Sequence, residues 1–245
     1  MRADQYALDA ELADRHWWWV ARRRLLTYWL DRLLGPAGPE RRVLEVGCST
    51  GSNLRLLQRY GAVEGLEMHD AAVALCHARY PDIPVRQGAI PMALDRRYGA
   101  LCLFDVLEHI DDDEGALDWC HEHLTESGRL FLTVPAFQFL WSRHDEVAHH
   151  QRRYTKATLL PRVARRFAVD YVSYFNFHLF PAIAAARLLQ RGLGLPGGEA
   201  DKRVGAGALN GLLTALFASE RFWLGLAPLP FGVSLFVAAR RRPAA

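Results

Sequence analysis

A chain of 245 residues, 51% of them hydrophobic, can bury a substantial core and reads as one domain with additions. A formal net charge of +3 is too small to point to a nucleic-acid partner. The four cysteines, Cys48, Cys76, Cys102 and Cys120, are far apart with no CxxC pair, which argues against zinc and against a disulfide framework.

The first residues, "MRADQYALDAELADRH", lack the apolar core of a signal peptide, so a cytoplasmic location is expected. A helix follows over 11–34, with Trp18, Ala21, Leu25, Trp29 and Leu33 on one side and Arg22, Arg23 and Arg24 around it. Aromatic residues on such a helix are first of all core; the run Trp17–Trp19 reads next as a lid and last as a membrane contact. "GPAGPE" breaks the chain at 35–40. Strands at 42–46, 62–66, 83–86, 100–104 and 129–134 then accompany helices at 52–60, 70–79 and 113–124. That alternation predicts a parallel sheet with helices on both faces. Further strands are expected at 168–175 and 232–239.

Between those last two strands the chain changes character. "LFPAIAAARLLQR" reads as an apolar helix, "GLGLPGGEADKRVGAG" as a loop, and a second helix puts Leu209, Leu212, Leu213, Leu216, Phe217 and Leu224 on one face. The uncharged run Phe222 to Ala239 is about long enough to span a bilayer. Pro228, Pro230 and Gly232 interrupt it, so helix, turn and buried strand are expected instead, leaving room for a peripheral membrane contact.

The stretch "VLEVGCSTGSN", Val43 to Asn53, is a strand running into a glycine turn and a helix. In a dinucleotide fold the pyrophosphate sits at that helix N-terminus. Here Ser49 stands between Gly47 and Gly51, so the G-x-G-x-x-G spacing is absent, and Glu45 would repel a phosphate. Twenty residues after Gly47, Glu67 ends the second strand, where a carboxylate can accept both hydroxyls of a ribose. A cationic amine at Glu45, a ribose at Glu67 and no phosphate describe S-adenosylmethionine (SAM).

With these residues in view, 41–135 resembles a class I SAM-dependent methyltransferase. "VLEVGCSTGSNLRLL" resembles the family's first motif and "GLEMHDAAVALCHARY" its acidic second strand with the next helix. "LCLFDVLEHIDDDEGALDWCHEHLTESGRLFLTVPA" resembles its fourth and fifth strands. In the subgroup akin to quinone-biosynthesis and other small-molecule methyltransferases, "LWSRHDEVAHHQRRYTKATL" resembles a recurrent segment after strand five. The resemblance implies that Glu45, Gly47, Cys48 and Gly51 line the methionine end of SAM. It implies that Glu67 binds the ribose with Met68 packing on the adenine. Gly88, Ala89 and Ile90 would edge the adenine, and Phe104 and Asp105 would close the cofactor floor. In two places the sequence departs from the pattern: Ser49 replaces a usual glycine, and Ala89 stands where many relatives carry an Asp.

The acceptor must be held in line with the methyl and, for a hydroxyl or activated carbon, lose a proton to a base. Candidates for that chemistry are His109, His149, His150, Asp145 as a partner that orients a histidine, and Tyr154; His144 lies in the same segment. Arg152 and Arg153 could grip an anionic acceptor, or instead pin the loop with Asp145. Asp105, Glu108 and His109 at i, i+3 and i+4 could together hold a divalent cation, as a similar run does in some quinone O-methyltransferases. The main reading assigns no metal and treats Glu108 and His109 as local hydrogen-bonding residues. "HEH" at 121–123 reads as a solvated helix face.

The expected fold is therefore α/β, a Rossmann-like doubly wound sheet of seven strands with the last antiparallel, as the resemblance implies. The parts are an N-terminal helical cap (1–40), a SAM-binding core (41–178), an apolar helical insertion (179–227), and the last strand with a basic tail (228–245). The expected activity is O- or C-methylation of a small hydrophobic acceptor, the insertion roofing its pocket. A SAM-binding regulator without turnover and an RNA or protein methyltransferase are the alternatives.

Overall fold

The computed structural model describes residues 3–38, 40–193 and 208–243. Seven strands form one sheet: β1 (Arg42–Val46), β2 (Ala62–Glu67), β3 (Val85–Gln87), β4 (Tyr98–Phe104), β5 (Leu124–Pro135), β6 (Phe167–Phe175) and β7 (Ser234–Arg241). Their order is β3-β2-β1-β4-β5-β7-β6, and β7 alone runs antiparallel to its neighbours. The order reverses between β1 and β4, so a crevice opens at the carboxyl ends of those two strands. The expected doubly wound sheet with an antiparallel last strand is the observed fold.

Each face of the sheet carries its own core. On one face lie α2 (Trp17–Leu33), α3 (Leu54–Leu57), α4 (Asp70–Arg79) and the helix α9 (Ala208–Ala218); Trp29 of α2 stacks on Phe236 of β7 at 3.9 Å between ring centroids. On the other lie α5 (Asp113–His123) and α7 (Lys156–Ala164), whose Leu117, Leu159 and Val163 are fully covered. With both faces covered, β7 has no polar alternation: Leu235 to Ala239 are all buried. That is why its sequence mimics a membrane span. Among the described residues no helix is long and apolar enough to cross a membrane.

Several boundaries differ from the sequence expectation. The helix at 11–34 is two, α1 (Ala3–Ala13) and α2, because His16 leaves the helical conformation and its ring accepts the amide hydrogen of Trp18, capping α2. The inward side of α2 also includes Arg22, which reaches into the site rather than into solvent. The helix at 52–60 shrinks to the four residues of α3, and β5 starts five residues before 129. The short helix α6 (Arg143–Val147) was not anticipated. "HEH" is not simply solvated: the rings of His121 and His123 meet the carbonyls of Arg242 and Trp119.

Among its described residues the insertion forms α8 (Phe180–Gly192), α9 and α10 (Glu220–Leu224). Most of the loop read between its two helices lies outside the described residues. The six apolar residues expected on one face are divided. Phe217 and Leu224 are buried and Leu213 partly so, whereas Leu209, Leu212 and Leu216 are exposed. Phe217 packs against Trp17, Trp18 and Phe175, and Asn210 bonds the amide of Trp17 and the carbonyl of Arg15. So α9 clamps the N-terminal helices, and the core reading of Trp17 and Trp18 holds. Glu220, fully buried, accepts the amide hydrogens of Asn176, Phe177 and His178 and ties α10 to the end of β6.

Candidate functional site

The turn after β1 is built on positive backbone angles. Gly47 has φ +65° and an added Cβ would meet Val106 at 2.6 Å, so only glycine fits. Ser49 adopts φ +50°, the left-handed region in which its relatives' glycine is at ease. The Ser49→Gly variant is therefore expected to be more stable by about 0.5–1 kcal/mol, the relieved strain exceeding the added chain entropy. A denaturant melt measures this, and a lower midpoint would show that the serine is tolerated there without strain.

Two carboxylates flank this turn. Glu45, 2% exposed, receives a 2.7 Å hydrogen bond from Asn53 Nδ2 on Oε1, while its Oε2 is buried without a partner. Burial pushes its carboxyl up to about 7 against the lowering effects of Asn53 and Arg22. Glu67 is not a solvated acid. It is 5% exposed and accepts the amide hydrogens of Ser49 (2.8 Å) and His69 (3.0 Å), holding the two strand ends together. Beside it Met68 is 58% exposed. Gly88 donates to the carbonyl of Glu67, and Ala89 is exposed next to it. Ile90 follows, half-buried. Cys48 points down against Gly65 and is buried, so it offers the crevice backbone alone.

At the end of β4 lie Phe104 and Asp105, the residues expected to close the cofactor floor, with one side of the pair facing α2. Arg22 of α2 closes it: its guanidinium lies 2.7 Å from Asp105 Oδ2, 2.8 Å from Thr133 Oγ1 and 5.7 Å from the Phe104 ring centre. Thr133 donates to the other oxygen of Asp105 at 2.9 Å. Both Asp105 oxygens are thus engaged by Arg22 and Thr133, so of the alternative cation set Asp105, Glu108 and His109, Asp105 is turned to other partners.

The segment after β5 comes back over the turn at 107–109, joined by the Gln151 amide donating to the Glu108 carbonyl at 2.7 Å. Asp145, fully buried, is its anchor. It accepts from Ser142 N at 2.8 Å, His150 Nδ1 at 2.9 Å and the two-pronged guanidinium of Arg153 at 2.8 and 3.0 Å. Burial alone would raise the Asp145 carboxyl, but the bonds from His150 and Arg153 hold it well below the usual carboxylate range. His150 lies edge-on to His109 at 4.6 Å. Burial, and then the neighbouring His150, push the His109 imidazole down to about 4, so it is neutral at physiological pH. Glu108 is fully buried with neither carboxylate oxygen bonded, and burial raises its carboxyl well above the usual range. Glu108, His109 and His150 bring one ligand atom each within 4.8 Å of one another.

Four expected roles change. Arg153 is buried on Asp145 and the carbonyl of Ala136, so it pins the loop and cannot grip an acceptor. Arg152 is engaged by Asp113 at 3.0 Å and by the carbonyl of Asp111. Tyr154 is 1% exposed and donates to Asp113 at 2.9 Å, inside the core rather than at the crevice. His149, with φ +57°, is exposed. Sequence reasoning missed Arg22, Asn53 and Thr133; only Asn53, inside the first motif, carried a local signal.

A wall of aromatic rings borders this arrangement. Phe137 and Phe139 follow β5, Phe177 and Phe180 follow β6, and Phe231 precedes the antiparallel β7, so all lie at one edge of the sheet. Their centroids are 4.5–5.7 Å apart along the chain of contacts Phe139–Phe137–Phe180–Phe231–Phe177.

The family model "Methyltransferase domain" matches residues 18–177. The chain belongs to the SAM-dependent methyltransferase family. Two curated proteins are similar to parts of this methyltransferase. One is the dTDP-3-amino-3,6-dideoxy-alpha-D-glucopyranose N,N-dimethyltransferase of Streptomyces fradiae, 37% identical over 28% of each chain. The other is a probable S-adenosylmethionine-dependent methyltransferase of Mycolicibacterium smegmatis, 30% identical over 51% of this chain and 48% of that one. The matches thus span less than half the length of either relative. In fold, the N-methyltransferase NodS of Bradyrhizobium japonicum, solved with S-adenosylhomocysteine, is similar over 96% of this chain and 91% of its own, with TM-score 0.57 and 14% identity.

Proposed function

We propose that the protein transfers the methyl group of SAM to a small, apolar acceptor at oxygen or carbon. The observation that carries this is the pair of buried carboxylates, Glu45 and Glu67, at the ends of adjacent strands, with one Glu45 oxygen left for a cation. Glu67 would accept the ribose hydroxyls, Met68 would cover the adenine, and the backbone at Gly88–Ile90 would edge it. When bound, SAM supplies a methyl group on a sulfonium, open to in-line displacement by a nucleophile. The aromatic wall suits an acceptor with an apolar body, and the relative from Streptomyces fradiae is likewise named for a small-molecule acceptor. His150, its Nδ1 held by Asp145, keeps Nε2 for the acceptor proton, and Asp145 is the positioning residue.

A second reading has an observation of its own, the unbonded Glu108 carboxylate beside His109 and His150. That donor set suits a borderline divalent cation, which would lower the pKa of an acceptor hydroxyl. Transfer of labelled methyl from SAM to a panel of phenolic, quinol and polyprenyl acceptors tests both readings. Turnover unaffected by a chelator is the expected result. Chelator-sensitive turnover restored by a divalent cation would move the assignment to the metal. Tight SAM binding with no transfer to any acceptor, RNA or protein would favour a regulator, and transfer to RNA or protein alone would overturn the small-molecule reading.

A further inference from the structure

Nine of the thirteen large hydrophobic side chains exposed among the described residues belong to α8, α9, α10 and the residues just after α8 and α10. Leu189, Leu193, Leu212, Phe222, Trp223 and Leu226 are all more than half exposed, Leu226 reaching 82%. Soluble surfaces carry scattered apolar residues, but such a concentration in one stretch marks a face that meets something. The fold does not use these residues. No residue of α8 is buried, and this helix is fastened by Arg187 and Arg191 donating to the carbonyls of Leu140 and Trp141. α9 and α10 are attached through Phe217, Glu220 and Leu224, on their opposite sides.

The charges on these helices say what covers the face. In the described residues 180–193 and 208–227 the charged side chains are Arg187, Arg191, Arg221 and Glu220, and Glu220 is fully buried as a cap. Among the described residues this stretch is therefore apolar and cationic, with no acid showing. The Arg221 guanidinium lies over the Phe222 ring at 4.8 Å, next to exposed Trp223. A second copy docked through a two-fold interface would set Arg191 and Arg221 against their own counterparts, with no exposed carboxylate among the described residues of these helices to answer them. An anionic bilayer answers both features: acyl chains take the leucines, headgroup phosphates take the arginines, and Trp and Phe sit at the boundary. The helices have 13, 11 and 5 residues, short enough to lie in the interface and too short to span it.

We infer that α8, α9 and α10 form a docking face for an anionic membrane surface, holding the methyltransferase against the bilayer. Phe177 and Phe180, at the entrance to α8, join this face to the aromatic wall, so a docked molecule would receive its acceptor from the lipid side. The docking stands without the methyl-transfer reading; only the delivery of acceptor rests on it.

Vesicle flotation of the full chain, with phosphatidylcholine alone or mixed with phosphatidylglycerol, tests the inference. Binding to the mixed vesicles should exceed binding to the neutral ones several-fold, fall with added salt and shift Trp fluorescence to the blue. Arg221→Glu should weaken it by about fivefold or more. The combined change Phe222→Ser, Trp223→Ser and Leu226→Ser should abolish it with an unchanged melting temperature, since these side chains are exposed. Absence of binding to mixed vesicles would overturn the proposal. So would a concentration-dependent dimer, seen by sedimentation, that the same triple change dissociates. Vesicle binding without methyl transfer would leave docking standing and remove the acceptor reading alone.

Discussion

His150→Ala should lower kcat by roughly 10²–10⁴-fold, the usual contribution of a positioned general base, while SAM affinity changes little. The ring's orientation is set by a buried acid, with Nδ1 held at 2.9 Å by Asp145. His109 faces it and is neutral, because burial has pushed its pKa down to about 4, so it does not compete as a charged acid at neutral pH. Asp145→Asn should lower kcat less, because the ring remains but its tautomer is no longer fixed. It should also lower thermal stability, because Arg153 loses a buried charged partner. His149→Ala, at an exposed position, should leave both kcat and stability near the parent values. Steady-state kinetics, SAM titration and melting curves on the three variants separate a base from a loop anchor. Wild-type kcat in His150→Ala would end the base assignment. Parallel loss of SAM affinity and melting temperature in that variant would make the residue structural.

A second large effect is expected at Glu45. Its folded pKa of about 7 lies above the ordinary 4.5. Between those values the folded, ligand-free protein keeps a proton that the unfolded chain releases. Stability should therefore fall as pH rises from about 4.5 through 7, by at most about 3 kcal/mol from this group. A cation at the unpartnered Oε2 favours the ionised form, so SAM binding near pH 6 should release close to one proton. Calorimetry in two buffers of different ionisation enthalpy reads that release directly. Glu45→Gln should remove it and weaken SAM by about 1–3 kcal/mol, roughly 5- to 150-fold. Equal heats in both buffers for the parent protein would show that Glu45 does not change its protonation state on binding. Glu67→Ala is the less clean probe, because that carboxylate also holds the amides of Ser49 and His69.

What the sequence by itself determined is local in origin. Alternating apolar runs and breaks located every strand of the sheet. A strand–turn–helix with Glu45, Gly47 and Gly51, followed by Glu67 at the next strand end, pointed to the turn after β1, because neighbouring strand ends bring those residues together. The tertiary structure decided what each polar group near the crevice meets. Arg22 closes on Asp105 across 83 positions, and Tyr154 bonds Asp113 across 41, spacings that no periodicity encodes. Arg153 and His150 read alike as site residues, yet Asp145 buries one as an anchor and leaves the other a free ring nitrogen. The apolar residues of α9 share one pattern and two fates: Phe217 is buried on α2 while Leu212 is exposed. A hydrophobic pattern states that a side chain prefers to leave water; the packing of distant elements decides whether the fold itself provides the cover.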